Sequence, residues 1–148
     1  MKKINLALVA HDNKKQELLD WLTKHQDKLE GISLYATGTT GRLIEKTLER
    51  RVHRFLSGPL GGDQQIGAKI SEGEINMLIF FWDPLESLPH DPDIKALLRL
   101  AAVWNIPLAC TASTADLMIH SSLLHDKHYE IRRPDYSDYT NRKTQAKP

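Results

Sequence analysis

The sequence has few of the features that mark secreted or membrane proteins. The 148 residues include one cysteine, Cys110, so an internal disulfide is excluded and a reducing compartment is expected. The apolar N-terminal run from Ile4 to Ala10 is short for a signal peptide and is interrupted at once by His11 and Asp12. No apolar segment approaches the roughly 20 residues that a membrane-spanning helix needs. We therefore expect a cytoplasmic protein with no membrane partner.

A surplus of charge of either sign is also lacking. The chain has 20 lysines and arginines against 19 aspartates and glutamates, so its net charge is +1. Proteins that neutralise nucleic-acid phosphates usually carry a clear basic excess, and we expect no nucleic-acid partner. With 41% hydrophobic residues, the chain is long enough for one domain with its own core. We predict a single domain over residues 1–148, with 141–148 as a disordered polar tail.

Short apolar runs alternate with amphipathic helical patterns along the chain. Continuous apolar runs are typical of strands that are buried on both faces of a parallel sheet. The alternation predicts a single-domain α/β fold, a three-layer sandwich around a mostly parallel five-stranded sheet. The predicted strands are residues 4–10, 32–36, 52–56, 75–82 and 106–111, with a further edge strand at 129–131. The predicted helices cover or include residues 18–29, 43–48, 66–71, 94–101 and 115–119.

Polar residues collect directly after the predicted strands. In an open parallel sheet, ligands bind beyond the carboxyl ends of the strands, so these loops are expected to meet at one edge. This convergence is a stronger indication of a site than any single loop. The candidates are His11, Asp12 and Lys15 after the first strand, Thr37 to Gly41 after the second, Ser57 to Asp63 after the third, and Asp83, His90, Asp91 and Asp93 after the fourth.

The stretch from Ser57 to Gln65 is the most informative of these loops. Its three glycines allow backbone amides to approach an anion, and the helix expected after it begins where negative charge is favoured. Asp63, at the end of the loop, is suited to act as a base beside a bound phosphate. The same pattern also fits a surface turn in which Asp63 caps a helix.

By chemistry, the candidates form two groups. The first supplies a cation, hydroxyls and amides for a phosphate, without the Walker lysine of GxxxxGK[ST] motifs, and the second supplies carboxylates and imidazoles for proton transfer. Taken one at a time, each has an ordinary alternative as a helix cap, a turn residue or a solvated side chain. The phosphate group is Lys15, Thr37, Thr39, Thr40, Ser57 and Gly58, and the proton-transfer group is His11, Asp12, Asp63, His90 and Asp93.

A metal site is the main alternative for the second group. Histidines and aspartates are common ligands of zinc and iron, and His11, Asp12, His90, Asp91 and Asp93 supply both residue types. However, the sequence contains neither HExxH nor CxxC. A hydrogen-bonded relay explains the same residues, and we predict no metal.

Several of these motifs, in the same order, resemble methylglyoxal synthase. The resemblance extends over about residues 4 to 120 and thins beyond Ser121. The motifs that carry it are Ala10–Asp12, Tyr35–Gly41, Ser57–Gln65, Phe80–Pro84, Pro89–Asp93 and Lys95–Arg99, with Pro134–Tyr136 nearer the C-terminus.

The resemblance implies a cofactor-free and metal-free enzyme, a homohexamer, that converts dihydroxyacetone phosphate to methylglyoxal and inorganic phosphate. It implies that phosphate is both product and inhibitor, and that a C-terminal arginine reaches a neighbouring subunit's site, for which Arg142 is the candidate. Asp63 is the implied base, and His11 and His90 contact substrate oxygens with Asp12 and Asp93 as supporting acids. The implied phosphate-binding residues are Lys15, Thr37, Gly38, Thr39, Thr40, Ser57 and Gly58.

A non-catalytic alternative uses the same fold. The chain also resembles the regulatory domain of carbamoyl-phosphate synthetase, which binds phosphorylated effectors. Such a module needs the phosphate-binding residues but has no use for Asp63, His90 and Asp93, and we therefore favour the enzyme.

Overall fold

The computed structural model describes residues 3–86 and 91–144 of the chain. Within them lies a sheet of five strands: β1 (Asn5–Ala10), β2 (Ser33–Ala36), β3 (His53–Arg54), β4 (Met77–Phe81) and β5 (Leu108–Ala109). The strand order is β3-β2-β1-β4-β5, and every neighbouring pair is parallel. Because all five strands point the same way, their carboxyl ends lie along one edge of the sheet.

The two central strands explain the apolar runs in the sequence. Leu6 and Leu8 of β1 pack into one helical layer, whereas Ala7 and Val9 pack into the other, and all four are at most 5% exposed. Successive side chains of a strand point to opposite faces, so a strand covered on both faces is apolar at every position. β4 lies beside β1, with Leu8 opposite Ile79, and is buried in the same way.

Helices cover both faces of the sheet. The described helices are α1 (Lys15–Lys24), α2 (Gly38–Leu48), α3 (Gly62–Glu72), α4 (Asp91–Val103), α5 (Ala112–Ile119) and α6 (Ser137–Thr144). Apolar residues of α1, α2 and α5 join one core cluster, and those of α3 and α4 join the other. The predicted three-layer α/β sandwich is thus confirmed. No helix in the described ranges combines the length and apolar composition needed to cross a bilayer.

The structure differs from the predicted elements mainly at the edges of the sheet. The two edge strands, β3 and β5, have two residues each, fewer than predicted. The predicted edge strand at 129–131 is wrong. The amide of Tyr129 instead bonds to the carbonyl of Asp126 in a turn, and Ile131 packs against the core from an irregular segment. Its apolar character reflects burial rather than strand pairing.

The C-terminal segment also differs from its prediction. Residues 141–144, expected to belong to a disordered tail, form the last part of α6, while 145–148 lie outside the described residues. Asp135 accepts a hydrogen bond from the amide of Ser137 at 2.9 Å, which satisfies a free donor at the start of the helix. This bond lowers the pKa of Asp135.

Candidate active site

The loops after β1 and β4 meet where the strand order reverses. β1 is followed along the chain by α1 and β2 on one side, whereas its other neighbour is β4. Such a reversal leaves a crevice at the carboxyl ends of the strands, the usual ligand position in open α/β sheets. His11 begins the loop after β1, and its amide bonds to the carbonyl of Phe81 at 3.1 Å. His11 therefore lies at this crevice.

The loop between β3 and α3 is folded back on Ser57. The carbonyl of Ser57 accepts hydrogen bonds from the amides of Leu60 and Gly62, both at 3.0 Å, and the carbonyl of Gly58 accepts from Gly61 at 3.0 Å. Gly61 has φ +108°, in the left-handed region that favours glycine. The loop is thus a defined turn that delivers the chain into α3.

This turn packs tightly against the loop after β2. The amide of Gly38 donates to the carbonyl of Leu56 at 3.3 Å. At Gly62 there is no room for a side chain, since an added Cβ would lie 1.9 Å from the oxygen of Leu56 and 2.8 Å from Cγ2 of Thr37. The two glycine-containing loops of the predicted phosphate site are therefore in direct contact.

Asp63 lies in the first turn of α3 and is partly exposed. Its two carboxylate oxygens lie 3.7 and 3.8 Å from the position that a Cβ of Gly58 would occupy. The N-cap of α3 is Gly61, so Asp63 is not the capping residue that the surface-turn alternative required. The structure brings the carboxylate of Asp63 next to the backbone of the glycine-rich loop.

The first turn of α2 faces a groove of about 900 Å³. Gly38, Thr39 and Ser57 all line this groove. The first amides of a helix have no partner within the helix; that of Gly38 donates to the carbonyl of Leu56, and those of Thr39 and Thr40 are the ones that can face an anion. Thr37 and Thr40 are 7% and 2% exposed, respectively. Thr39 is therefore the threonine of this turn that lies at the surface.

Lys15 is held near the end of β1. Its Nζ lies 2.6 Å from Oδ1 of Asp12 and 3.3 Å from the carbonyl oxygen of Ala10. The hydrogen bond and charge of Lys15 lower the pKa of Asp12. The sequence predicted that Asp12 supports an imidazole, whereas the contact seen here is an ion pair with Lys15.

The ring of His11 makes its contact with the loop after β4. Nδ1 of His11 accepts a hydrogen bond from the backbone amide of Asp83 at 3.3 Å. The ring also packs edge-on against Phe80, with centroids 5.5 Å apart. Phe80 near the end of β4 and the amide of Asp83 in the following loop therefore both contact the imidazole.

Asp93 approaches the site from α4. Its Oδ1 accepts a hydrogen bond from Nε2 of Gln64 at 3.4 Å, which links the starts of α3 and α4. Asp63 and Asp93 line the same cavity of about 210 Å³ between these helices. His90, the second predicted imidazole, lies outside the described residues. Within residues 3–86 and 91–144, no cluster of three or more His, Cys, Asp or Glu side chains is arranged to hold a metal ion.

Known proteins are similar to this chain over nearly its full length. A methylglyoxal synthase of Coxiella burnetii is 59% identical over 142 residues, which cover 96% of this chain and 97% of the relative. The chain belongs to the methylglyoxal synthase family of enzymes. The family model, an MGS-like domain, matches residues 17–110.

Other members of the methylglyoxal synthase family agree with this assignment. The methylglyoxal synthase of Pseudoalteromonas translucida is 60% identical and covers 93% of this chain and 88% of its own length. The crystal structure of methylglyoxal synthase from Elizabethkingia anophelis has a TM-score of 0.85 at 50% identity, covering 93% of this chain and 90% of that one. The fold of this family member is thus shared with a solved enzyme.

Two residues with contacts at the site were assigned no function from the sequence: Asp83, which was only named among the candidates after the fourth strand, and Asn13. The backbone of Asp83 contacts His11, and its side chain accepts from Nδ2 of Asn13 at 3.2 Å. The sequence offered one signal, the position of Asp83 directly after a strong predicted strand. Asn13 carried no signal, since an asparagine after a strand is most simply a turn or capping residue.

Proposed function

We propose that the protein is a methylglyoxal synthase that removes phosphate from dihydroxyacetone phosphate, with Asp63 as the general base. The observation that carries this proposal is the position of the Asp63 carboxylate, 3.7 to 3.8 Å from a Cβ position on Gly58, in a turn packed on the start of α2. In this proposal the base lies beside the backbone of the loop whose amides bind the phosphate. The relatives named above support the same reaction.

In this proposal the phosphate binds to the two glycine-containing loops. The first turn of α2 and the turn at Ser57 and Gly58 offer amides, and Thr39 adds a hydroxyl. Lys15 supplies a positive charge and exchanges part of its pairing with Asp12 for the phosphate. These groups bind the dianion before the reaction and stabilise the leaving phosphate after it.

The reaction begins with removal of a proton α to the ketone of the substrate. The carboxylate of Asp63 accepts this proton, and the electrons move to the carbonyl oxygen to give an enediolate. His11 donates a hydrogen bond to the developing oxyanion, and His90 is proposed to do the same. The hydroxyl proton of the enediolate then passes to the departing phosphate oxygen as the C–O bond breaks, which gives hydrogen phosphate and an enolate, and the terminal carbon of this enolate takes the proton from Asp63 to give methylglyoxal.

The orientation of the phosphate determines the product. A C–O bond perpendicular to the enediolate plane overlaps with the π electrons and breaks, whereas a bond in that plane is retained, as an isomerase requires. The start of α2 and the Ser57 turn fix this orientation in the proposed site. Elimination therefore yields methylglyoxal, and isomerisation would yield glyceraldehyde 3-phosphate.

The experiment is an assay of the purified protein with dihydroxyacetone phosphate in the presence of a chelator. We expect methylglyoxal and phosphate in equal amounts, and a loss of about 10²–10⁴-fold in kcat for Asp63→Asn with phosphate affinity largely retained. Asp20→Asn, an exposed substitution on α1, is the matched control. Full activity in Asp63→Asn would remove that residue from the mechanism. Phosphate binding without turnover in the wild type would favour the regulatory module.

The remaining expectations form part of the same proposal. We propose that the enzyme acts without a cofactor, that inorganic phosphate inhibits it, and that it works in the cytoplasm as a homohexamer. Asp93 is proposed to support an imidazole of the site, and Arg142 to reach a neighbouring subunit. In the described chain the guanidinium of Arg142 lies 5.2 Å from the ring of Tyr139, on the exposed helix α6.

A further inference from the structure

The loop after β4 contacts the loop after β1 through side chains as well as backbone. Asn13 lies in a short turn that is closed by a 2.8 Å hydrogen bond from the amide of Lys14 to the carbonyl of His11. From this turn, Nδ2 of Asn13 donates to Oδ2 of Asp83 at 3.2 Å. The two loops that meet at the reversal of strand order are thus tied together by an amide–carboxylate contact.

Both carboxylate oxygens of Asp83 are engaged. Oδ1 accepts from the amide of Leu85 at 3.0 Å, while Oδ2 accepts from Asn13. These two hydrogen bonds lower the pKa of Asp83, with Asn13 as the larger cause. The side chain of Asp83 is consequently fixed at two points, and its own backbone amide is aimed at Nδ1 of His11.

The amide of Asp83 determines which nitrogen of His11 can carry a proton. A backbone N–H only donates, so Nδ1 of His11 must accept through its lone pair. In the neutral imidazole the proton then resides on Nε2. An imidazolium, with protons on both nitrogens, would leave no acceptor for the amide.

We propose that Asn13 and the side chain of Asp83 are positioning residues that hold His11 as the Nε2–H tautomer. This inference deepens the proposed function, since it rests on His11 as the donor to the enediolate oxygen. A neutral histidine donor serves the related enediolate chemistry of triosephosphate isomerase. Asn13 and Asp83 act through the orientation of His11 and need no contact with substrate.

The test uses an exchange of the two side chains. Asn13→Asp places two carboxylates against each other and breaks the contact, whereas the double variant Asn13→Asp/Asp83→Asn restores an amide–carboxylate pair in the reverse direction. We expect kcat to fall about 3- to 10-fold in the single variant, as for loss of one hydrogen bond, and to return to within about twofold in the double variant. Gln16→Ala is the control, because it removes an equally exposed amide–carboxylate bond, to Asp20 on α1.

A second readout follows the tautomer itself. In protein labelled with ¹⁵N-histidine, the His11 signals are assigned by their loss in His11→Gln. We expect a proton on Nε2 and a bare Nδ1 in the wild type and the double variant, and a tautomer mixture in Asn13→Asp. A proton on Nδ1 of His11 in the wild type would overturn the proposal. So would an Asn13→Asp variant in which kcat falls while the tautomer is unchanged, or in which the tautomer changes while kcat stays normal.

This design separates the present inference from the proposed function. If the wild type made no methylglyoxal, the assignment of activity would fail, but the ¹⁵N spectra would still decide whether Asn13 and Asp83 control His11. If methylglyoxal formed and the spectra did not respond to Asn13→Asp, the reaction would stand and the positioning role would be rejected.

Discussion

Gly62→Ala should disrupt both the stability and the site of the protein. The added methyl group would lie 1.9 Å from the carbonyl oxygen of Leu56 and 2.8 Å from Cγ2 of Thr37. The first neighbour is backbone, so no side-chain rotation relieves the contact. The turn must move by about 1 Å relative to the end of β3, a shift large enough to strain a packed interior.

The expected cost follows from two contributions. Overpacking of this kind costs about 1–3 kcal/mol. The carbonyl that must move also accepts the amide of Gly38, and losing that hydrogen bond adds about 0.5–1.5 kcal/mol. The free energy of unfolding should therefore fall by about 2–4 kcal/mol, which lowers Tm by roughly 5–15 °C in a chain of this length. A displacement near 1 Å should also reduce kcat about 10²-fold.

Gly58→Ala is the matched control within the same turn. A Cβ at Gly58 meets nothing closer than the Asp63 carboxylate at 3.7 Å, which is ordinary contact. We expect Tm to be unchanged or slightly higher, because alanine restricts the unfolded chain, while kcat falls because a methyl group now faces the proposed base. The measurements are thermal unfolding by circular dichroism at one protein concentration and the methylglyoxal assay. A Tm of Gly62→Ala within about 2 °C of wild type would refute the steric argument.

Three other measurements test separate parts of the site and core. Lys15→Ala should weaken binding of phosphate about 10- to 100-fold in calorimetric titration, because a charge-assisted hydrogen bond is lost; equal affinity would exclude Lys15 from the anion site. Lys15→Ala should also raise the pKa of Asp12 in a ¹³C-detected titration, because Lys15 holds that pKa below 3.8. The pKa of Asp12 is lower in the folded protein than in the unfolded chain, so the ion pair stabilises the protein at pH values above the ordinary pKa of an aspartate. This stabilisation is lost as the pH falls through the folded-state pKa. Its size is less than about 1 kcal/mol because Asp12 is exposed. Cys110 should react more slowly than a free thiol with a disulfide reagent near pH 8, since burial raises its pKa; a rate equal to that of free cysteine would contradict this.

The central fold was predictable because strands that are buried on both faces have continuous apolar sequences. β1 and β4 read as continuous apolar runs since each residue contacts one helical layer or the other. The prediction for the edge strand β3 was too long because apolar residues continue past its two paired residues: Val52 is buried in one core cluster, and Phe55 packs partly buried against the other while its amide donates to the carbonyl of Ala36. The start of α3 was placed too late, at Ile66 rather than Gly62, because glycine is a poor indicator of helix.

The expectation that the loops after the first four strands meet at one edge followed from a general rule about parallel sheets. That rule gives the edge at which loops meet but not which atoms touch. The contact of Asn13 with Asp83 joins loops 70 residues apart, and the orientation of His11 depends on a backbone amide. Neither feature has a side-chain pattern that one sequence can reveal.

The backbone of Leu56 explains how so short an edge strand can support a site. Its amide donates to Oε1 of Gln65 at 2.8 Å, and its carbonyl accepts from Gly38 and limits the approach of Gly62. The backbone of Leu56 thus connects the end of β3, the start of α2 and the first turns of α3, while the side chain of Leu56 is 51% exposed. Because these connections all meet at the main-chain atoms of Leu56, beside a glycine that leaves space for them, the positions of Asp63 and the proposed phosphate amides are coupled. A change that moves one loop must move the other.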